Sequence, residues 1–173
     1  LWGTMMRLDP RAYSNSLEAI QALFKRSFAK DISSEFLLWR FVKNPYRETL
    51  VCVAKDGDRL IANYSACPVR IECDASLIPA ALSMTTMTDP EYAGRGLFTR
   101  LASELYSNMY EQGFKIIYGF PNVNSHFTFV TKLGWADIYE IPTMSLVLGR
   151  EKISVSEELL LRFDDRFELI YDI

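Results

Sequence analysis

The residues of this chain best suited to chemistry run Met87-Thr88-Asp89-Pro90-Glu91-Tyr92-Ala93-Gly94-Arg95-Gly96-Leu97-Phe98, between a β-rich run and an amphipathic stretch. Glycine carries no Cβ, so at Gly94 and Gly96 backbone N–H groups can come close to an anion. A helix starting near Gly96 adds N–H groups with no partner inside the helix, and the positive end of its dipole. Arg95 adds a full charge for a phosphate oxygen. Together these make a phosphate cradle. Two glycines at a helix entrance also make an ordinary tight turn. The loop has neither the Lys-Ser/Thr of a P-loop nor the third glycine of a dinucleotide fingerprint.

Other chemically able residues cluster downstream. His126 is the single histidine. A histidine titrates near neutrality and suits deprotonation of an amine, but a helix N-terminus disfavours its cation. Its spacing therefore reads as structural first and catalytic second. Asn122 and Asn124 follow a strand, where asparagine either binds a ligand or caps the local backbone. Asp89 reads as a cap for the turn before Pro90. Glu35 and Glu72 are carboxylate alternatives as base that read more naturally as solvated surface charges. Phe36 and Trp39 read first as core and second as lining of an acceptor pocket. Cys52, Cys67 and Cys73 read as small apolar fillers. Their odd number, without Cys-x-x-Cys, argues against a disulfide framework and a zinc site and fits a reducing compartment.

The elements that must position these groups follow from period and punctuation. Met5–Leu8 fits a short strand. Asn15 with Glu18 resembles a capping box, and Leu17, Ile20, Phe24 and Phe28 predict a helix over 16–29. Ser33 or Ser34 can cap a second helix, 35–43, which Asn44-Pro45 stops. Residues 50–54 and 59–66 flank Asp56-Gly57 as a hairpin. Val69, Ile71 and Cys73 alternate with Arg70, Glu72 and Asp74, as on a half-exposed antiparallel strand. A further strand, 78–88, is expected to be central. Leu97, Leu101, Leu105 and Met109 form one stripe of a helix over 96–112, ended by Gly113. A buried strand over 115–120, a short helix over 125–133 closed by Gly134, and strands over 136–141 and 143–148 complete a mixed α/β domain. Residues 149–173 carry Leu160, Phe163, Phe167 and Ile170 at helical spacing. They form a helical extension, or the start of a further domain, beyond a first domain of 1–148.

At 173 residues the chain can bury a real core. A net charge of −3 gives no general attraction to nucleic acid or to an anionic membrane. No apolar run reaches the roughly 18 residues that span a bilayer, and no charged start precedes an apolar signal core. The expectation is a cytoplasmic protein that acts on a small molecule, without nucleic-acid or membrane partners. An antiparallel edge strand is compatible with a homodimer.

The cradle resembles the acetyl-CoA motif of the GNAT N-acetyltransferase superfamily, in which Pro-Glu-Tyr precedes Arg/Gln-x-x-Gly-x-Gly/Ala. Here the motif reads Ala93-Gly94-Arg95-Gly96-Leu97-Phe98. Gly96 is retained, Ala93 replaces the Arg or Gln, and Phe98 replaces the last small residue. Lys132-Leu133-Gly134-Trp135 is similar to the segment that closes the next helix in that family. Trp39-Arg40-Phe41 with Asn44-Pro45, and Gly119-Phe120-Pro121-Asn122 with Ser125, resemble members associated with surface-polysaccharide and amino-sugar pathways.

The resemblance covers residues 5–148. It implies a mixed, mostly antiparallel central sheet with helices on both faces. Strands 78–88 and 115–121 would splay to admit the pantetheine arm, and Phe120-Pro121 suits a strand leaving its neighbour, because proline cannot donate to a ladder. It further implies acetyl-CoA as cosubstrate, no metal, and direct attack by a primary amine, an amino sugar among the candidates. Cofactor contacts would come from Met87, Thr88, Ala93, Gly94, Arg95, Gly96, Leu97, Phe98, Thr99, Asn122, Asn124 and Phe129. Backbone N–H groups near Met87 and Thr88 would polarise the thioester carbonyl. The tyrosine that many members place four residues before the final glycine is Val130 here, which leaves Tyr118, Tyr139, Ser125 and His126 as catalytic candidates. The alternative is a catalytically silent CoA-binding or structural domain of a larger protein. A peptide-transferring relative using aminoacyl-tRNA fits poorly, for want of a basic run to hold RNA.

Overall fold

The computed structural model describes residues 5–7, 16–43 and 45–141, with the backbone alone at 5–7. The chain divides into two units with a boundary between Asp137 and Ile138. The first holds a five-stranded sheet in the order β1-β2-β3-β4-β5. Its elements are β1 (Met5–Arg7), α1 (Leu17–Phe28), α2 (Ser34–Phe41), β2 (Leu50–Asp56), β3 (Arg59–Cys73), β4 (Ser76–Thr88), a 3-10 turn (Pro90–Tyr92), α3 (Leu97–Glu111), β5 (Ile116–Tyr118) and α4 (His126–Leu133). β1 to β4 pair antiparallel, and β5 runs parallel to β4. A parallel neighbour needs a crossover rather than a hairpin, and α3 supplies it.

Alternation along β2 divides the core. Val51 and Val53 pack with Ile20 and Leu23 of α1 and Leu37 and Phe41 of α2. Cys52 and Ala54, on the opposite face, join Leu97, Leu101, Leu105 and Met109 of α3 and Phe129 of α4. Successive strand residues point to opposite faces, so helices cover both sides, as the resemblance implied. The α3 stripe is buried at all four of its leucine and methionine positions. Burial pushes the Cys52 thiol up to about 11, with Glu104 adding to it, which makes it an inert filler.

Several expectations are corrected. The strands expected at 59–66 and 69–73 are one continuous β3. Pro68 lies within it, and β2 pairs with β3 only as far as Ala66. Beyond that point no described strand lies on that side of β3, which a proline tolerates. Phe36 and Trp39 are 43% and 60% exposed. Leu37 and Phe41, four apart, take the sheet-facing side of the short α2, and their neighbours turn outward. Cys73 is exposed, at the open end of β3.

The segment expected as a buried strand over 115–120 is a three-residue strand with Ile116 exposed, and among the described residues β5 has β4 as its one neighbour. Residues 134–141, which include the strand expected over 136–141, form neither helix nor strand, and Ile138 in that run is exposed. Asn15, the strand expected over 143–148 and the stripe at 160–170 lie outside the described residues, and α1 begins after Ser16. No described helix is long and apolar enough to cross a membrane.

Packing sorts the substitutions sharply. Leu101→Ala in the α3 core should cost about 3 kcal/mol, a fall of roughly 6–12 °C in Tm for a domain of this size. Trp39→Ala should stay within about 0.5 kcal/mol, because the ring leaves the core untouched. Thermal unfolding of the two variants checks both.

Candidate functional site

The site begins where β4 ends. Asp89 is 1% exposed, and a carboxylate taken out of water needs partners. Arg26 of α1 donates to it through Nε at 2.6 Å, Arg59 of β3 through Nη2 at 2.8 Å, and the Glu91 amide at 3.2 Å. Its own amide donates to the Ile61 carbonyl. Burial raises the Asp89 pKa, but the Arg26 and Arg59 hydrogen bonds outweigh it and hold the carboxyl below its ordinary value. Ser27 hydrogen-bonds the Thr88 carbonyl nearby. Two strand ends, a helix and the loop lead thus meet at one carboxylate.

The loop that follows is held open. The Tyr92 hydroxyl donates to the Asp56 carboxylate, and the Arg59 and Arg95 guanidinium groups lie 5.7 and 4.9 Å from the Tyr92 ring centroid. Gly94 and Gly96 both have φ of +73°, in the left-handed region that side chains resist. A Cβ on Gly96 would meet only the Thr99 hydroxyl, at 3.8 Å, so glycine is set there by backbone conformation. Gly96 occupies the cap position of α3 without a capping side chain, and the first turn of α3 has no acidic residue. Its leading N–H groups and dipole therefore face no competing anion from their own turn.

Next to the cradle the sheet forks. β4 and β5 pair at only three positions, the last being Leu82 with Tyr118. Beyond them β4 continues from Ser83 to Thr88 paired with β3 alone, and no described strand lies on its β5 side. Gly119 marks the fork: a Cβ there would lie 3.2 Å from the Trp135 ring and 3.3 Å from the Ser83 carbonyl. Opposite Tyr64 the β4 register slips between Met84 and Met87, a β-bulge. Within it Thr85 has φ of +50°, an outlier for a β-branched residue.

Two polar groupings flank the fork. On the α3 face, Trp135 Nε1 donates to the Tyr106 hydroxyl at 3.0 Å. Tyr106 meets the Tyr64 hydroxyl at 2.7 Å, and Tyr64 meets Ser83 Oγ at 2.8 Å. Burial raises the pKa of both tyrosines, which keeps them neutral. On the α2 face, Tyr118 and Cys67 stand in one cross-strand row on either side of Leu82. Burial, then the Cys67 thiol, raises the Tyr118 pKa.

The remaining expected residues take distinct places. Met87 is buried at the end of β4, and Leu97 is buried in the α3 core. Phe98 packs edge-on to Tyr64 and to Phe129, so both rings belong to the core wall. The Thr99 hydroxyl bonds the Gly96 carbonyl. Asn122 Oδ1 accepts from the amides of Asn124 and Ser125 and from Ser125 Oγ. His126, at the start of α4, meets Asp137 at 2.8 Å through Nε2. Tyr139 is exposed in the second unit. Among the described residues no group of three or more His, Cys, Asp or Glu side chains could hold a metal ion.

Sequence reasoning missed the Arg26–Asp89–Arg59 junction and the Tyr64–Ser83–Tyr106–Trp135 chain. Their members lie 19 to 63 residues apart along the chain. No local pattern flags them, and strand register and helix docking bring them together.

Residues 11–138 match the family model for the acetyltransferase (GNAT) domain. Solved structures similar to the chain include a Trypanosoma brucei acetyltransferase at 17% identity and TM-score 0.59, covering 83% of this chain and 99% of that one. An aminoglycoside acetyltransferase from an uncultured soil metagenomic sample, in complex with sisomicin, is 15% identical with TM-score 0.64, covering 84% and 97%. Glucosamine-6-phosphate N-acetyltransferase from Arabidopsis thaliana is 14% identical with TM-score 0.59, covering 84% and 98%. No curated protein sequence matches significantly.

The buried carboxylate gives the site a pH signature. With its folded pKa depressed, Asp89 contributes stability above the unfolded value near 3.9, and that contribution is lost as pH falls through the folded pKa. Asp89→Asn should cost about 2 kcal/mol at pH 7, roughly 4–8 °C in Tm. The gap between variant and wild type should shrink towards pH 3 in a thermal series.

Proposed function

The chain belongs to the GNAT acetyltransferase family, and from that premise we propose that it moves an acetyl group from acetyl-CoA to the primary amine of a small molecule. Amino sugars lead the candidate acceptors, in line with a structural relative named for glucosamine 6-phosphate and others named for aminoglycosides. The observation that carries this reading is the adjacency of an uncapped helix N-terminus, a two-glycine loop and a forked sheet. That combination suits a ligand with a pyrophosphate at one end and a narrow arm at the other.

The residues divide the work as follows. The N–H groups of Gly94 to Thr99 and the Arg95 charge would take the pyrophosphate. The unpaired ladder edge of β4, with the amides near Met87 and Thr88, would accept the arm and stabilise the oxyanion that develops on the thioester carbonyl oxygen. Attack forms the C–N bond, and collapse of the tetrahedral intermediate breaks the C–S bond. One proton leaves the amine, and one must reach the departing sulfur. Tyr118 stands at the last β4–β5 pair, and its raised pKa keeps the phenol protonated. It is our candidate donor in place of the residue lost at Val130. Ser125 is tied into the Asn122 turn, and the Asn122 and Ser125 pair shapes the exit of β5. The His126–Asp137 pair is exposed and reads as a local tether of α4.

Two measurements test this. Calorimetric titration should give micromolar binding of acetyl-CoA and CoA but not of ATP. Gly96→Glu should abolish it in a folded protein, because bulk and negative charge enter the cradle. Unchanged affinity would remove this loop as the pyrophosphate site. In steady-state assays Tyr118→Phe should lower kcat by about tenfold to a thousandfold, within the range of general acid catalysis, with acetyl-CoA affinity held. His126→Ala should lower kcat less than tenfold. CoA binding without turnover of any amine would favour a silent CoA-binding domain.

A further inference from the structure

Arg40 has no assigned role in the acyl-CoA cleft, yet it stands beside it. Its Nε donates to the Thr85 hydroxyl at 2.7 Å, inside the β4 bulge and three residues past the last β4–β5 pair. Its charge is felt at the Cys67 thiol, in the same cross-strand row as Tyr118. Among the described residues it makes no ion pair, whereas Arg26, the other half-buried arginine near this end of β4, is neutralised by Asp89. A half-buried guanidinium without an acidic partner keeps its charge available to an incoming anion.

Its setting is shaped rather than open. The Thr85 backbone is held in its strained conformation by Asn63 Nδ2, which donates to the Thr85 carbonyl at 2.9 Å. Asn63 is itself buried, with Oδ1 lacking a partner among the described residues. Phe36 and Trp39, one turn and one residue before Arg40 on α2, form an exposed ring pair at 5.5 Å, and the guanidinium lies 5.9 Å from the Phe36 centroid. The result is a cation fixed at one nitrogen beside an exposed aromatic wall.

We infer that Arg40 and the Phe36–Trp39 wall form the acceptor subsite, and that the acceptor is an amino sugar carrying an anionic group, phosphate or carboxylate, across the ring from its amine. The inference rests on the acetyl-transfer reading for the position of the amine. Met87 and Thr88, whose amides face the reacting carbonyl in that reading, lie two and three residues beyond Thr85. Extended chain rises about 3.3 Å per residue, so amine and anion should sit roughly 6–10 Å apart. An α-amino acid holds the two within roughly 3 Å and is too short. A pyranose ring spans the gap and lays a C–H face on the aromatic pair. Phosphate and carboxylate both suit a bidentate guanidinium.

The test is calorimetric titration of the full chain with glucosamine, glucosamine 6-phosphate and glucosaminuronic acid. It is run on wild type, Arg40→Gln and Arg40→Lys, with acetyl-CoA affinity measured separately in each. Wild type should bind an anionic sugar at least tenfold more tightly than glucosamine, and the better of the two identifies phosphate or carboxylate as the anion. Arg40→Gln should erase that preference, a loss of about tenfold to a hundredfold, with glucosamine and acetyl-CoA binding unchanged. Arg40→Lys should retain part of it, and this holds the test open if Arg40→Gln misfolds. Equal binding of all three sugars by wild type, or a preference that survives in a folded Arg40→Gln, overturns the inference. Loss of acetyl-CoA binding with the sugar preference intact would instead overturn the acyl-CoA reading and leave the anion subsite standing.

Discussion

A carboxylate removed from water at the junction of four chain segments sets the geometry of this protein. Asp89 is satisfied only when the end of α1, the start of β3 and the backbone after β4 converge on it, since Arg26, Arg59 and the Glu91 amide come from those places. Convergence fixes where β4 stops. It also fixes the direction in which the chain leaves towards Gly94 and Gly96. The Tyr92 hydroxyl bond to Asp56, with two guanidinium groups against the same ring, extends the constraint to the cradle itself. An anion site made of backbone N–H groups has no side chains to adjust, so its precision must come from such anchoring.

The second constraint is an unmade ladder. An unpaired strand edge invites pairing with another chain, yet among the described residues β4 keeps one from Ser83 to Thr88. Gly119 lets β5 approach as far as Tyr118, and Pro121 cannot donate to a ladder further on. The bulge at Thr85 twists the open stretch further. A gap between parallel strands is thus built from local chemistry at a few residues, and the polar groups on either side of it, Tyr118 and Arg40 on one face and Ser83 on the other, inherit their positions from it.

Much of this was legible in the residues. The leucine and methionine stripe of α3, the Asp56-Gly57 hairpin, Ser33 as the cap of α2, and Gly113 and Gly134 as helix ends are all short-range statements, and each holds because it depends on neighbours within a turn or two. The two-glycine loop at the start of α3 was legible for the same reason, since glycine spacing and helix start are contiguous in the chain. Legibility failed where burial is decided from outside the element. Phe36 and Trp39 looked like core because they are large and apolar, but α2 is eight residues long and shows the sheet one narrow face. The single strand β3 was read as two, because its length is set by pairing with β4, which is invisible from β3 alone.

The amino-acid sequence by itself therefore determined most of the helices, the hairpin, the glycine loop before α3 and the family, because these reside in contiguous motifs. Tertiary structure alone decided which polar groups meet: Arg26 and Arg59 at Asp89, Tyr64 with Ser83 and Tyr106, and Arg40 with Thr85. The physical reason is that cross-strand register and helix docking are set by summed packing of the two cores. A hydrogen bond of about 3 Å between residues 19 to 63 positions apart appears only after that packing has chosen a register.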